Sequence, residues 1–230
     1  MAANQQLSDR PPLTAAVEDY VKAIYMLEGS GEAASTNALA ARLEVTPAAV
    51  SGMLRKLAGL GLVEHEPYRG VRLTERGRFV ALEVIRHHRL LELFLVENLG
   101  MGWDEVHAEA EVLEHVLSEE LEELIAAKLG NPTLDPHGDP IPSRDLAIAD
   151  DVGSCDLYQL EPGSSGTFVR VSDTDPEMLR FLTERGIRPG ARLQVLERQP
   201  FDGPLSVRVG RRVHVLGAVL ARAIRVQTPP

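Results

Sequence analysis

Cysteine is almost absent. Cys155 is the single one in 230 residues. An internal disulfide is therefore excluded, cysteine-built zinc sites are excluded, and a reducing cytoplasm is the expected location. Aromatic residues are scarce as well, at 4% with one tryptophan, so Leu, Val, Ala and Ile must do the packing. Basic residues are outnumbered, with 24 Lys and Arg against 34 Asp and Glu and a net charge of -10. That balance argues against a general nucleic-acid coat protein, though not against a local basic face. No apolar run approaches the roughly 20 residues of a membrane helix. Residues 1–13 are polar, lack an apolar signal core, and read as a flexible N-terminus. What remains is an ordinary globular composition, 44% hydrophobic and 25% charged, long enough for one large domain or two to three small ones.

The densest chemistry lies in His107-Ala-Glu-Ala-Glu-Val-Leu-Glu-His115. It sits in a run from about Trp103 to Lys128 that reads as one helix, because Val106, Val112, Leu113, Val116, Leu117, Leu121, Leu124 and Ile125 recur at helical spacing. His107, Glu111 and His115 are spaced i, i+4, i+8 and share a face, with Glu114 beside them. Imidazole and carboxylate groups pointing one way suit a hard or borderline divalent cation. The acidic net charge fits a chain whose carboxylates are neutralised by bound cations. The competing reading is a solvated acidic face, since Glu119, Glu120, Glu122 and Glu123 follow on the same stretch.

Along the chain, Thr14 to Glu28 predicts a helix with Val17, Tyr20, Val21, Ile24, Tyr25 and Leu27 as its apolar stripe, and Asp19 as a surface carboxylate. Ser35 to Leu43 predicts a short helix. Thr46-Pro47 opens another that reaches about Leu60, with Pro47 at its first position. Two short helices joined by a tight turn form a helix-turn-helix pattern. Ala48, Ala49, Ser51 and Gly52 are small enough for close entry into a DNA major groove, and Arg55 and Lys56 can reach phosphates. Thr46, Pro47, Ala48, Ser51, Arg55 and Lys56 are the candidate DNA-contacting residues of this helix. Leu62–Glu66 and Val71–Thr74 then read as a hairpin wing whose tip offers Tyr68 and Arg69. Thr74 opens a further helix through a capping-box pattern, continuing to Leu99. This helix is apolar on more than one face and is read, with Trp103–Lys128, as a dimerisation unit. His88 and Glu92 lie on it at i, i+4. Residues 131–159 are rich in Pro, Gly and Asp and mark a linker; His137 within it could bind metal or be solvated. From Leu160, five short β-patterned runs and one helix, Pro176 to Arg185, suggest a small SH3-like barrel. Asp173 and Asp175 stand before that helix.

These residues resemble the diphtheria toxin repressor family of metal-dependent transcriptional regulators, in its three-domain form. The resemblance spans Glu-Asp-Tyr-Val-Lys-Ala-Ile-Tyr in the first helix, Val-Thr-Pro-Ala-Ala-Val-Ser at the helix-turn-helix, and His88-Arg-Leu90. It continues through Val106 to His115, the Gly-Asp-Pro-Ile-Pro linker, and Gly-Ile-Arg-Pro-Gly near the end. It implies a mainly α fold with a small β domain: a winged helix-turn-helix at residues 14–76, a helical metal-binding and dimerisation domain at 77–130, and the SH3-like domain at 160–228. It implies a primary metal site at Asp19, Glu111, Glu114 and His115. An ancillary site at His88, Glu92 and His107 is implied too, with Asp173 and Asp175 as candidates from the barrel. Iron regulators of the family have Met and Cys where this chain has Asp19 and Glu111, and the manganese branch resembles it at both. Hard oxygen in place of soft sulfur favours Mn²⁺ over Fe²⁺. The manganese branch has a second acid one turn after Asp19, where this chain has Lys22; the resemblance is therefore to a hybrid of the two types. Expected is a cytoplasmic repressor of metal homeostasis, dimeric on palindromic double-stranded DNA, without membrane or small organic ligand. Zn²⁺, Co²⁺, Ni²⁺ and Cd²⁺ are possible occupants in vitro. Two other classes compete: a di-metal carboxylate enzyme, for which no four-helix bundle is visible, and a winged-helix sensor of a small molecule.

Overall fold

A computed structural model describes residues 13–29, 31, 34–66, 70–148 and 153–228. The chain divides into two compact units, Met1–Ile85 and Arg86–Pro230.

In the first unit, α1 (Ala15–Gly29), α2 (Thr36–Arg42) and α3 (Pro47–Gly59) are followed by β1 (Val63–Glu66) and β2 (Gly70–Leu73). The helix starts are those the local sequence encodes. Ser35 Oγ accepts from the Ala38 amide and Thr46 Oγ1 from the Ala49 amide, each at 3.2 Å; both satisfy amides that lack a partner in the first turn. The turn between α2 and α3 places Glu44 at φ 54°, in the left-handed region. One face of each helix joins a common apolar core, with Val21, Ile24, Leu39, Val50, Leu57 and Leu62 fully enclosed. The wing is an antiparallel pair running from Val63↔Leu73 to Glu66↔Gly70. Tyr68 and Arg69 lie outside the described residues.

Helix α4 (Glu75–Leu99) begins in the first unit and continues into the second. Thr74 caps it as expected, its Oγ1 accepting from the Gly77 amide at 3.0 Å. The full capping box is not formed, because its reciprocal acid would stand at residue 77, which is glycine. A Cβ there would lie 2.0 Å from the Leu62 carbonyl oxygen, so the wing's approach to α4 requires glycine.

In the second unit the expected single helix from Trp103 to Lys128 is two: α5 (Val106–Leu113) and α6 (Glu119–Lys128). Ser118 adopts extended backbone, and its side chain accepts from the Leu121 amide at 3.3 Å, starting α6 afresh. The apolar spacing runs through the break, so periodicity alone could not reveal it. Leu90, Leu91, Leu93, Ala110, Ile125, Ala126 and Ile141 pack together.

The remaining strands are β3 (Ser154–Asp156), β4 (Ser165–Val171), β5 (Arg192–Arg198), β6 (Leu205–Val209), β7 (Arg212–Leu216) and β8 (Ile224–Gln227). Helices α7 (Pro176–Glu184) and α8 (Ala218–Ala223) are interspersed. They form one antiparallel sheet, ordered β3-β8-β4-β5-β6-β7. The fold is SH3-like, but the sheet is open, with β3 and β7 at its edges, where a barrel was expected. Strand β3 and helix α8 carried too short a pattern to be read from sequence. Phe168, Leu179, Leu193, Val207 and Ile224 form its core, joined by Trp103 from the helical region.

The linker is not a loose tether. Asp135, His137 and Ile141 are buried. The Val171 amide donates to the His137 carbonyl at 3.0 Å, and Gly138, at φ +89°, approaches β4 so closely that a Cβ would sit 1.9 Å from the Val169 carbonyl oxygen.

Candidate metal centre

Helix α4 brings His88 and Glu92 to one face, one turn apart. His107 and Glu111 project from α5, and Glu114 and His115 follow where α5 ends. The ring of His88 stands between these groups. Its Nδ1 lies 2.5 Å from Glu114 Oε2 and 3.8 Å from Glu111 Oε1. Its Nε2 lies 3.0 Å from Glu92 Oε1 and 3.1 Å from His107 Nδ1. Glu92 and Glu114 side chains are fully buried, and His115 approaches Glu114 Oε1 at 3.6 Å. The two residue sets separated in the sequence are thus contiguous, with one histidine ring joining them.

The sheet domain contributes as well. Asp173 Oδ2 lies 3.1 Å from His107 Nδ1, so His88, Glu92, His107 and Asp173 offer ligand atoms all within 4.8 Å of one another. Asp175 does not join them. Its carboxylate accepts from the Glu177 and Met178 amides and caps α7. Asp19 lies half-buried on α1, in the first unit.

Two further residues belong to this region. His137 is fully buried, against the solvated alternative. It is stacked on Trp103 with ring centroids 5.6 Å apart, and its Nε2 is 2.6 Å from the Trp103 carbonyl oxygen. Its Nδ1 faces Glu92 Oε2 at 3.5 Å, and neither atom has a hydrogen-bond partner among the described residues. Asp135 completes a third buried group with Glu92 and His137. The Asp-Pro-His order in a proline-rich loop was its sole sequence signal, and nothing local said that the loop folds inward.

The electrostatics are those of carboxylates and imidazoles sharing protons. Burial alone would raise Glu92; the neighbouring imidazoles of His107, His137 and His88 reverse this and hold it well below the usual carboxylate range. His107 is pushed up to about 10 by its hydrogen bonds to Asp173 and Glu92. Burial, together with the charge of Asp139, pushes Asp135 up to about 8. Carboxylates this deep call for positive charge. The orphaned atoms Glu92 Oε2 and His137 Nδ1 are a carboxylate oxygen and an imidazole nitrogen, the donor types a divalent cation accepts. The residues therefore fit a metal.

On α3 the DNA-contact candidates Thr46, Pro47, Ala48, Arg55 and Lys56 are exposed, and Ser51 is half-buried with its hydroxyl bonded to the Pro47 carbonyl at 3.0 Å. Arg55 and Lys56 have no ion-pair partner among the described residues. No described helix is long and apolar enough to cross a membrane.

Family models match along the chain: an iron dependent repressor N-terminal DNA binding domain at residues 12–71, an iron dependent repressor metal binding and dimerisation domain at 74–143, and an FeoA domain at 155–228. The iron-dependent repressor IdeR of Mycobacterium tuberculosis is 35% identical over 221 residues, covering 91% of this chain and 96% of that protein. Among solved structures, a manganese-dependent transcriptional repressor in complex with manganese is 44% identical, with a TM-score of 0.86, covering 93% of this chain and 100% of the other. ScaR with bound Cd²⁺ is 30% identical, with a TM-score of 0.79, covering 93% and 99%. The chain belongs to the diphtheria toxin repressor family of iron-dependent repressors and is a metal-dependent, DNA-binding transcriptional repressor, not an enzyme.

Proposed function

We propose that this repressor responds to Mn²⁺ in preference to Fe²⁺, binds palindromic operators as a homodimer in the cytoplasm, and controls genes of metal-ion homeostasis. The observation that carries the reading is the donor set. Glu111, Glu114, His115, His88, Glu92, His107 and Asp173 supply oxygen and imidazole nitrogen with no sulfur, which suits Mn²⁺ among the available metals. The 44% identity to a manganese-dependent repressor supports it. The 35% identity to IdeR favours a second reading, an iron-responsive regulator of the same family. Zn²⁺, Co²⁺, Ni²⁺ or Cd²⁺ would also occupy such donors in vitro, because affinity rises along the Irving–Williams order regardless of the metal sensed.

In this reading Asp19, Glu111, Glu114 and His115 form the primary site, and His88, Glu92, His107 and Asp173 the second, with Asp135 and His137 adjoining it. A divalent cation would take over from the protonated histidines the charge balance of these buried carboxylates. Holding one charge in common is how these residues would couple metal binding to DNA affinity. Without it the carboxylates repel. Such a switch works by population shift, and turning it from mostly off to mostly on takes about 5.5 kcal/mol of differential binding. Exposed Val112, Val116, Leu121 and Leu124 on α5, α6 and the turn between them support a dimer through this face.

The test is selection of duplexes from a random pool with Mn²⁺, with Fe²⁺ under anoxia, and with chelator. A palindrome enriched with Mn²⁺ at lower free metal than Fe²⁺ is expected; the reverse order would establish the iron reading. Asp19→Ala should remain a folded dimer whose DNA affinity no longer rises with Mn²⁺, and a normal response would remove Asp19 from the switch.

A further inference from the structure

Glu122 belongs to the acidic run Glu119–Glu123, which in sequence looks like a solvated helix face. Its side chain is only 12% exposed, and two basic groups hold it. Arg86 Nε donates to Oε1 at 2.5 Å, and His87 Nε2 to Oε2 at 3.2 Å. The other ring nitrogen of His87, Nδ1, lies 3.2 Å from the backbone carbonyl oxygen of Glu114. A carbonyl and an ionised carboxylate only accept, so whichever ring nitrogen makes each bond does so as its donor. Burial would raise Glu122, yet its contacts with His87 and Arg86 bring it below the ordinary carboxylate range. Glu114 is the C-cap of α5, where helix carbonyls lack intrahelical partners, and His87 supplies the missing donor. At its other end Arg86 donates through Nη1 to the Pro142 carbonyl at 2.6 Å. A chain of contacts thus runs from the linker through Arg86, Glu122 and His87 to the backbone of Glu114.

We infer that Glu122, acting through His87 and braced by Arg86, is a positioning residue that places Glu114 and His115 and so sets the cation affinity of the site they belong to. The inference rests on the metal reading above and adds residues that none of the metal-binding sets contains. Its physical basis is tolerance. Ligand atoms must sit within about 0.2 Å of their ideal distances. Glu114 lies just past the end of a two-turn helix, where its own backbone fixes it least. The relay anchors that backbone while His88 anchors the side chain. Groups that orient a ligand without touching the metal are typically worth about 10–100-fold in metal affinity.

The test uses the full chain and Mn²⁺ alone, titrated by the electron paramagnetic resonance signal of the free ion, in two backgrounds. His107→Ala leaves the set of Glu111, Glu114 and His115, whereas His115→Ala leaves the set of His88, Glu92, His107 and Asp173. In the first background Glu122→Gln should weaken Mn²⁺ by about tenfold or more, and in the second by less than about threefold. His87→Gln keeps one donor for the Glu114 carbonyl and should fall between parent and Glu122→Gln. It carries the same comparison if Glu122→Gln does not fold. Equal affinities for parent and variant in the first background would overturn the inference, as would the same fold-loss in both backgrounds, which marks a role in folding alone. A parent chain that takes up no Mn²⁺ overturns the metal reading, and this inference with it.

Discussion

Glu92 divides its carboxylate between two groups of histidines: Oε1 faces His88 and His107, and Oε2 faces His137. In the metal-free chain these rings hold protons on its behalf. His107 is pushed up to about 10 by Asp173 and Glu92. Burial lowers His137, but Glu92 outweighs it and brings it to about 9. Both values stand above the 6.5 of an unfolded histidine, so the folded chain binds more protons and its stability falls as pH rises. Their contribution is complete below about 6.5 and is lost as pH climbs through 9 and 10. Asp135, raised from 3.8 to about 8, acts with the same sign at lower pH. The metal-free protein should therefore melt at steadily lower temperature between pH 6.5 and 10, and Asp173→Asn should flatten that slope, since its hydrogen bond is the largest cause acting on His107. A melting temperature independent of pH in this window would refute the assignment. Helical spacing singled out His107 and put His88 and Glu92 one turn apart, and the family resemblance implied that the three form a site. It could not place Asp135 or the inward turn of His137, because no periodic pattern accompanies a loop.

The local elements were largely legible. Thr46 and Ser35 caps, Pro47 at the head of α3 and the hairpin all follow from neighbours within a few positions. The break between α5 and α6 did not, since the apolar spacing continues across it and a single serine cap overrides it. Two expectations belong to this scale. Gly138→Ala places a Cβ 1.9 Å from the Val169 carbonyl, on a backbone of positive φ. It should cost about 1–3 kcal/mol of stability in denaturant unfolding and loosen His137, which adjoins it. Arg55 on α3 is exposed and has no ion-pair partner among the described residues, so Arg55→Ala should lower operator affinity across sequences and reduce the slope of log affinity against log salt by about 1. An unchanged slope would remove Arg55 from the phosphate contacts.

At the scale of the molecule, a metal binding and dimerisation domain leaves Val112, Val116, Leu121 and Leu124 between 48% and 76% exposed. Apolar side chains this open in one region want a partner. If the proposed dimer forms through this face, Val116→Asp is expected to give a monomer in sedimentation and to weaken binding to a palindrome far more than to a half-site; a stable dimeric variant would move the interface elsewhere. The winged helix, the pairing of His107 and Glu111 on one helix face and the β-rich end were legible in the sequence alone, because caps, periodicity and turn chemistry act over a few residues. The tertiary structure decided which side chains share a site. It put the ring of His88 between Glu92 and Glu114, carried Asp173 from the sheet domain to His107, spent Asp175 on a helix cap, and buried Glu122 out of an acidic run. Those outcomes depend on packing between segments distant in the chain, where burial and charge are set by neighbours that no local pattern names.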